Sequence, residues 1–412
     1  MRALLTLFGA LALTGCAGII PPGSGPPVSA PPSGSPIAQP SPSISPAAPA
    51  PTSALMAGVQ EGPYVSGLGY SQQDAEAALR SFIATCPSLL KREDISGLTR
   101  PSDWEQACEA APRNPGTADT FFAAYFETAI VGSGEAFATG YFEPEILGSR
   151  TRRPGYDVPV YRMPPDLERA WPDDVPPSER DGRPPLGRTD ASGNHVPYYE
   201  RSEIEAGALA GRDLEIAWAA DPIEFFFLQI QGSGLLRLPD GSLMRIGYAG
   251  QNGREYVGIG RVMRERGLIG DGPGQYAGSM QGIVQYLRDN PQDGADLMRL
   301  NKSWIFFREL DTDGPLGSLG VPVRRESSVA VDPRFVPYGA PVWLDLDRDV
   351  ADGLWIAQDT GGAIKGANRF DTFWGNGGDA REIAGGMSGR GQALILLPRG
   401  TLKRLRSRSD QQ

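Results

Sequence analysis

The sequence predicts a mainly β protein with some α-helices, built from several barrel-like β units. Short apolar runs follow one another along the chain, separated by Gly and Pro, which number 53 and 38 among the 412 residues. This pattern is typical of turn-rich β structure. The runs do not alternate with helices in a β–α–β rhythm, which argues against a doubly wound parallel sheet.

The N-terminus has the form of an export signal. Arg2 precedes an apolar run over residues 3–13 that is too short to span a bilayer, which requires about 20 apolar residues. The run ends in LTGC at 13–16, which resembles a bacterial lipobox. We therefore expect residues 1–15 to be a lipoprotein signal peptide and Cys16 to carry lipid. The alternative is an ordinary cleaved signal peptide.

Residues 16–60 are rich in Pro, Ser and Ala and show no apolar periodicity. Such a segment cannot bury enough surface to offset the entropy lost on ordering, so we expect a disordered tether. Ala17 after the lipobox indicates the outer membrane, by analogy with bacterial lipoprotein sorting. The expected location is the periplasmic side of that membrane.

Two helices with one cysteine each are expected next. Apolar residues recur at helical spacing from Ala75 to Cys86, after Ser71 as a plausible N-cap, and Cys108 follows Trp104 on a second short helix. In an oxidising compartment a Cys86–Cys108 disulfide is favoured over two buried thiols.

The remaining periodicity predicts one further helix around Phe121–Ala129 and then mainly strands. The strand predictions are 138–143, 158–162, 224–231, 342–347, 354–359 and 393–398. Helical stretches are expected near 255–266 and 279–290, a polar excursion loop over 164–194, and a flexible tail over 401–412.

Composition excludes several classes of function. The formal net charge is −10, which argues against a nucleic-acid partner. The single histidine, His195, excludes zinc sites with two or more imidazoles and is expected in a surface turn. Acid–base chemistry should therefore depend on carboxylates, and we predict neither a metal nor another cofactor.

Two segments carry polar side chains suited to sugar hydroxyls and amides. If 224–231 is a strand, Gln229 and Gln231 share one face, with Ser233 in the following turn. Tyr248 and Asn252 lie in a second, Gly-rich segment. The alternative for the glutamines is a solvated strand face.

A third segment places two carboxylates close together. Asp359 ends a predicted strand, a Gly-rich turn follows, and Asp371 returns beside Phe370, Phe373 and Trp374. Desolvation and a neighbouring like charge both disfavour ionisation, so this arrangement is suited to an acid with a raised pKa. The alternative is a solvated turn.

Motifs in the order of the chain resemble the membrane-bound lytic murein transglycosylase A family, over about residues 115–398. Those of the first part are ATGYFEP (138–144), VYRMPP (160–165), IEAGAL (204–209), LQIQGSG (228–234) and GYAGQNG (247–253). VDP (331–333), QDTGGAIKG (358–366) and FD (370–371) resemble the three-aspartate domain of that family.

The resemblance implies a double-psi β-barrel catalytic domain and a smaller inserted β-barrel domain, with a substrate cleft between them. The catalytic domain is then expected over 61–140 and 246–400, its three-aspartate region over 320–398, and the insert over 141–245.

The implied reaction is non-hydrolytic cleavage of the β-1,4 bond between N-acetylmuramic acid and N-acetylglucosamine in peptidoglycan glycan strands, forming 1,6-anhydromuramyl ends. The resemblance makes Asp371 the catalytic acid and Asp359 its supporting neighbour. Asp332, in a Val-Asp-Pro turn, is expected to be structural. The substrate-binding candidates are Thr139, Gln229, Gln231, Ser233, Tyr248, Asn252 and Lys365. Other cell-wall enzymes are further candidate partners.

Two other functions stay open. A non-catalytic lipoprotein could bind the wall without cleaving it. Asp359-Thr-Gly matches the aspartic peptidase triplet, but that site needs two such aspartates, and the segment at 311–314, DTDG, lacks the motif.

Overall fold

The computed structural model describes residues 51–114, 116–312 and 314–409. The predicted signal peptide, the lipidation site at Cys16 and most of the tether lie outside these residues. Within the described ranges, no helix is long and apolar enough to cross a membrane.

The elements are labelled in chain order. The helices are α1 (Ala54–Ala57), α2 (Gln72–Leu89), α3 (Pro101–Ala110), α4 (Ala118–Tyr125), α5 (Arg201–Glu205), α6 (Pro222–Gln231), α7 (Ile259–Glu265), α8 (Met280–Asp289), α9 (Pro291–Arg299), α10 (Gly378–Gly386) and α11 (Thr401–Ser409). The strands are β1 (Val59–Glu61), β2 (Phe126–Val131), β3 (Glu135–Glu143), β4 (Glu145–Ser149), β5 (Val158–Tyr161), β6 (Glu168–Arg169), β7 (Leu186–Thr189), β8 (His195–Pro197), β9 (Glu215–Ala219), β10 (Ser233–Arg237), β11 (Leu243–Gln251), β12 (Ile305–Glu309), β13 (Ser328–Ala330), β14 (Pro341–Leu346), β15 (Gly353–Asp359), β16 (Arg369–Asn376) and β17 (Ser388–Pro398).

The N-terminal helices α2, α3 and α4 pack on the same core as the first sheet. Ser71 and Asp74 form a capping box at the start of α2, which satisfies backbone donors that the helix leaves free. Cys86 in α2 and Cys108 in α3 are joined by a disulfide, with their Cα atoms 5.5 Å apart.

The first sheet contains a closed barrel of six strands. Its order is β17-β14-β15-β13-β16-β3, and β3 pairs again with β17, while β2 and β1 extend the sheet from β17. The pairs β13–β15 and β16–β3 are parallel and the others in the ring are antiparallel. A closed ladder leaves no free edge. Apolar side chains at alternate positions of the strands point inward and fill the barrel. The predicted fold class, mainly β with some α, is confirmed.

The second sheet has its own core. Its order is β12-β11-β10-β4-β9-β5, so in the described part of the chain the ladder is open at β12 and β5 rather than closed as a second barrel. Because β11 pairs with both β10 and β12, this unit extends to residue 309. The expected end of the insert at 245 therefore falls inside β11, and the expected return to the catalytic domain at 246 comes too early.

The prediction of a strand over 224–231 is wrong, because this segment is helix α6. Asp221 caps the helix by accepting hydrogen bonds from the backbone N–H groups of Ile223 and Glu224, Pro222 occupies its first position, and Gly232 ends it in the left-handed conformation at φ 80°. Residues 225–229 are all buried, so the apolar alternation reflected burial on several sides rather than a pleated strand.

Two other segments are more ordered than expected. Part of the 164–194 excursion forms β6 and β7, which make a small antiparallel sheet with the following β8. His195 begins β8 and is half-buried, so it is not a fully exposed turn residue. Residues 401–409 form α11 instead of a flexible tail, because Leu402 is buried and Arg404 donates hydrogen bonds to Asp103 and to the Leu98 carbonyl.

Candidate functional site

Three neighbouring strands of the barrel bring the two aspartates together. Asp359 ends β15 and Asp371 lies in β16, and both are register partners of Ala330 in β13, which runs between them. On the other side of β16, Asp371 is paired with Thr139 of β3. The distant segments of the sequence therefore meet at one end of the barrel.

Asp371 is held by a chain of two hydrogen bonds. The Thr139 hydroxyl donates to Oδ1 of Asp371 at 2.6 Å, and Nη2 of Arg369 donates to the Thr139 hydroxyl at 2.9 Å. Among the described residues, no donor is bonded to Oδ2 of Asp371. This oxygen is the one available to carry a proton toward a ligand.

Burial raises the pKa of Asp371 to about 6, against the opposing effects of the Thr139 hydrogen bond and the Arg369 charge. The charge of Asp359 acts in the same direction as burial but contributes less. Desolvation penalises the ionised carboxylate. Asp371 can thus be protonated at mildly acidic pH.

Asp359 has a different environment, because both of its oxygens accept hydrogen bonds. Oδ1 accepts from the backbone N–H and hydroxyl of Ser318 at 2.8 and 2.9 Å, and from the Thr360 N–H at 2.8 Å. Oδ2 accepts from the Tyr141 hydroxyl at 3.1 Å. Burial raises the pKa of Asp359 and these bonds oppose the rise. They also suit this carboxyl to a fixed acceptor rather than a proton donor.

Asp332, the first of the three aspartates, holds the loop between the other two. It is buried and accepts hydrogen bonds from the Gly366 N–H at 2.8 Å and from the guanidinium of Arg334 at 2.7 Å. These bonds outweigh the effect of burial, so the pKa of Asp332 is lowered. Its contacts are those of a structural residue.

The expected aromatic surroundings are only partly as predicted. Phe370 and Trp374 are buried in the barrel core, and Phe373, which is also buried, packs against Tyr141 with ring centroids 5.0 Å apart. Burial, followed by the charges of Asp359 and Asp371, raises the pKa of Tyr141 well above its ordinary value.

Sequence reasoning missed Tyr141, Arg369 and Ser318 as neighbours of the aspartates. Tyr141 lies two residues after Thr139, and Arg369 two residues before Asp371, so strand alternation could have found both. Ser318 lies in a loop with no such local signal.

The predicted substrate-binding residues fall into two groups. Thr139 contacts Asp371 directly, Tyr248 is 50% exposed, Lys365 is exposed, and Ser233 is partly buried at the start of β10. Gln231 is partly buried, and its Oε1 accepts a hydrogen bond from the Phe142 N–H at 3.1 Å, close along β3 to Thr139 and Tyr141.

Gln229 and Asn252 are structural in this fold, contrary to the prediction. Asn252 is fully buried, donates to the carbonyls of Tyr199 and Lys302, and accepts from the Trp304 N–H. Gln229 is 2% exposed and accepts a hydrogen bond from the buried Arg201 at 2.7 Å. Because α6 is a helix, Gln229 and Gln231 do not share a strand face.

Two family profiles match this chain. Residues 137–308 match the MltA specific insert domain, and residues 327–397 match the 3D domain. The two matches cover the second sheet, its helices and most of the barrel.

Solved structures of similar sequence have the same fold. MltA from Neisseria gonorrhoeae is 36% identical, with a TM-score of 0.66 over 82% of this chain and 90% of that chain. The membrane-bound lytic murein transglycosylase from Agrobacterium tumefaciens is 30% identical, with a TM-score of 0.72 over 84% of this chain and 99% of that chain.

A curated relative, membrane-bound lytic murein transglycosylase A from Vibrio cholerae, is 35% identical over 45% of this chain and 52% of that protein. The aligned region thus spans about half the length of this relative. On the solved structures, however, the similarity extends over nearly the full length of the compared chains. The chain therefore belongs to the membrane-bound lytic murein transglycosylase A family.

Proposed function

We propose that this protein is a lytic transglycosylase of peptidoglycan, which cleaves the β-1,4 bond between N-acetylmuramic acid and N-acetylglucosamine without water. The observation that carries the proposal is the contrast between the two aspartates. Asp371 has a pKa raised to about 6 and a free Oδ2, whereas the oxygens of Asp359 are bonded on both sides. One carboxyl group is thus suited to proton transfer.

In the proposed reaction, protonated Asp371 donates its proton to the glycosidic oxygen as the bond to the muramyl anomeric carbon breaks. The resulting Asp371 carboxylate then takes the proton from the muramyl O6 hydroxyl, while O6 forms the new bond to the anomeric carbon. The products are a free hydroxyl on the leaving sugar and a 1,6-anhydromuramyl end. Asp371 returns to its protonated form, so the proton balance closes.

This chemistry requires only one transferring carboxyl. Hydrolytic glycosidases use a second carboxyl to attack the anomeric carbon or to activate water. Here the internal O6 hydroxyl is the nucleophile. Asp359, held by Ser318, Thr360 and Tyr141, supplies negative charge near the cationic sugar of the transition state.

We propose Thr139, Gln231, Ser233, Tyr248 and Lys365 as substrate contacts. The amide nitrogen of Gln231 has no partner among the described residues, since only its Oε1 is bonded. Gln231 therefore retains donors for a sugar hydroxyl or acetamide.

The decisive experiment is digestion of purified sacculi followed by mass spectrometry of the released muropeptides. The proposal predicts anhydromuramyl ends in H₂¹⁸O without incorporation of ¹⁸O. Reducing muramic ends that contain ¹⁸O would instead show hydrolysis.

The same assay separates the two alternative functions. A wall-binding lipoprotein would co-sediment with sacculi and release no muropeptides. An aspartic peptidase would leave the glycan intact, cleave peptide bonds and respond to pepstatin. The fully bonded Asp359 does not favour a peptidase, because that mechanism needs two aspartates that share a proton.

For localisation, the family relatives are named as membrane-bound, and we propose that this protein is attached through lipid on Cys16 to the periplasmic face of the outer membrane. The support is the charged start, the short apolar run and the LTGC sequence at 13–16. We expect palmitate labelling and outer-membrane fractionation that are both lost in Cys16→Ala. Unchanged labelling of that variant would refute lipidation at this residue.

A further inference from the structure

The small sheet β6-β7-β8 brings two arginines together on the surface of the second unit. Arg169 in β6 donates a hydrogen bond to the carbonyl of Pro184 at 2.7 Å, which places its guanidinium beside the residue that follows Arg183. Both side chains are exposed. Among the described residues, neither forms an ion pair with a carboxylate.

The two guanidinium groups form a local positive patch on a protein with a formal net charge of −10. Burial and the charge of Arg183 lower the pKa of Arg169, and Tyr248 acts in the opposite direction. Several exposed arginines in other regions pair with carboxylates, as Arg150 does with Glu309 and Arg325 does with Asp379. Two adjacent guanidinium groups without a carboxylate are a suitable site for an anion from outside the protein.

The arginine pair is part of a surface that also contains exposed apolar side chains. Tyr248 is 50% exposed and Met163 is 49% exposed. Met163 lies over Gly250, where a Cβ would come within 2.6 Å of its sulfur, so the absence of a side chain at 250 makes room for it. Tyr248 and Gly250 both belong to β11, so the phenol, the thioether and the arginines form one mixed surface.

This surface is linked to the catalytic end of the barrel by a short path. Leu186 in β7 is the register partner of Arg169, and a Cβ on Gly253 would lie 2.6 Å from the Cβ of Leu186. Three residues further along, Tyr256 is close enough to Asp371 that, after burial, the charge of Asp371 contributes to raising its pKa. The arginine pair is thus one strand away from the segment that borders the active site.

We propose that Arg169, Arg183, Tyr248 and Met163 form a binding site for the stem peptide of the substrate, with the arginines on its carboxylates. This inference rests on the proposed function, because stem peptides are attached to the muramic acid units of the glycan. An extended peptide of five residues reaches about 17 Å, which suits a site beside the catalytic groups rather than within them. The Met163 and Tyr248 side chains suit the apolar alanine side chains of such peptides.

The test compares two substrates, glycan strands that carry stem peptides and the same strands after an amidase has removed the peptides. Arg183→Glu places a carboxylate next to Arg169 and so neutralises the pair. The matched control is Arg80→Glu, which makes the same charge change at an exposed position of α2. Neither Arg183 nor Arg80 has a side-chain hydrogen bond to another described residue, so both variants should fold.

We expect Arg183→Glu to lower kcat/KM for peptide-bearing strands by about 10-fold and to leave kcat/KM for denuded strands unchanged. Arg80→Glu should change neither value. Amidation of the peptide carboxylates should lower wild-type kcat/KM to that of Arg183→Glu.

Equal losses on both substrates, or no loss on either, would overturn the stem-peptide site while leaving transglycosylase activity in place. Equal cleavage of amidated and unmodified strands by the wild type would also overturn the stem-peptide site without affecting the proposed function. A wild type that cleaves neither substrate would overturn the proposed function itself, and the stem-peptide site with it.

Discussion

The polar cluster at the end of the barrel and the polar cluster inside the second unit each contain an arginine in a hydrogen-bonded network but have different roles. The first contains Asp359, Asp371 and Arg369, and the second contains Arg201, Gln229 and Asn252. Asp371 is partly exposed, and one of its oxygens has no partner in the described part of the chain, whereas Asn252 is fully buried and bonded through both its oxygen and its nitrogen.

The buried cluster also shows what a structural polar group requires. Arg201 is 2% exposed, and its guanidinium donates to the carbonyls of Asn301 and Ser303 as well as to Gln229. Burial lowers the pKa of Arg201 to about 10, which measures the cost of placing this charge inside. The clusters therefore differ in residue type, carboxyl groups against amides, and in the free hydrogen-bonding capacity that a ligand can reach.

The largest expected effect is on turnover at Asp371. Asp371→Asn should lower kcat by at least about 10²–10⁴-fold, because the amide can neither donate the proton nor take it back. Muropeptide release at equal concentrations of folded protein measures this effect. Near-normal turnover of the variant would contradict the role of Asp371.

The same variant should be more stable than the wild type at pH 7–8. The native pKa of about 6 lies above the ordinary value of 3.8, so the unfolded state loses its proton first and stability falls as pH rises through this window. Removal of the titrating group should recover up to about 3 kcal/mol in the free energy of unfolding at pH 7–8. Below pH 4 the gain should disappear, as urea unfolding at both pH values would show.

Asn252→Ala should lower stability and leave activity unchanged, which is the reverse of what we expect for Asp371→Asn. It leaves the Tyr199 carbonyl and the Trp304 N–H without a buried partner, whereas the Lys302 carbonyl still accepts from the Arg201 N–H, so we expect a loss of about 2–3 kcal/mol in the free energy of unfolding. Activity per folded molecule should stay close to that of the wild type at a temperature where both are folded. Ser233→Ala is the control for stability, because this partly buried residue should change the free energy of unfolding little when its hydroxyl is removed. A large loss in kcat/KM without a loss of stability would place Asn252 in the binding site.

Asp359→Asn should lower kcat by about 10-fold, less than Asp371→Asn, because it removes a supporting charge and not the transferred proton. The amide also cannot accept all of the bonds from Ser318, Thr360 and Tyr141. Tyr141→Phe removes one of these bonds and keeps the charge, so its effect should be smaller. If the two aspartate variants lose equal activity, the assignment of a single acid is wrong.

The smallest expected effect is on the pH profile. The charge of Arg369 lowers the pKa of Asp371, so Arg369→Gln should shift the alkaline limb of kcat/KM upward, on the order of half a pH unit. Arg390→Gln is the matched control, because Arg390 stacks on the same Phe137 ring at 4.8 Å but does not bond to Thr139. A shift in both variants, or in neither, would exclude Arg369 as a positioning residue for Asp371.

Sequence patterns predicted the barrel strands well, because their signals are local. The predicted strands 342–347 and 354–359 correspond to β14 and β15, and 138–143 falls within β3. The strand assigned to 224–231 was wrong because burial of all of residues 225–229 hid the helical period of α6. The capping signals Asp221-Pro222 and Gly232 were present in the sequence and would have corrected it.

What the sequence by itself determined is the inventory of groups that can carry the chemistry. With one histidine and a Gly-rich turn between Asp359 and Asp371, it restricted proton transfer to carboxylates and indicated which two. The residue patterns alone could not distinguish Asp371 from Asp359, for which the only guide was the family resemblance, or an exposed amide from a buried one. Those distinctions depend on hydrogen bonds between residues far apart in the chain, such as Thr139 with Asp371 and Ser318 with Asp359. Only the tertiary structure decided them. Burial and the number of donors around each oxygen set the pKa of a carboxyl group and the hydrogen-bonding capacity that it keeps for a ligand, and both depend on the folded surroundings.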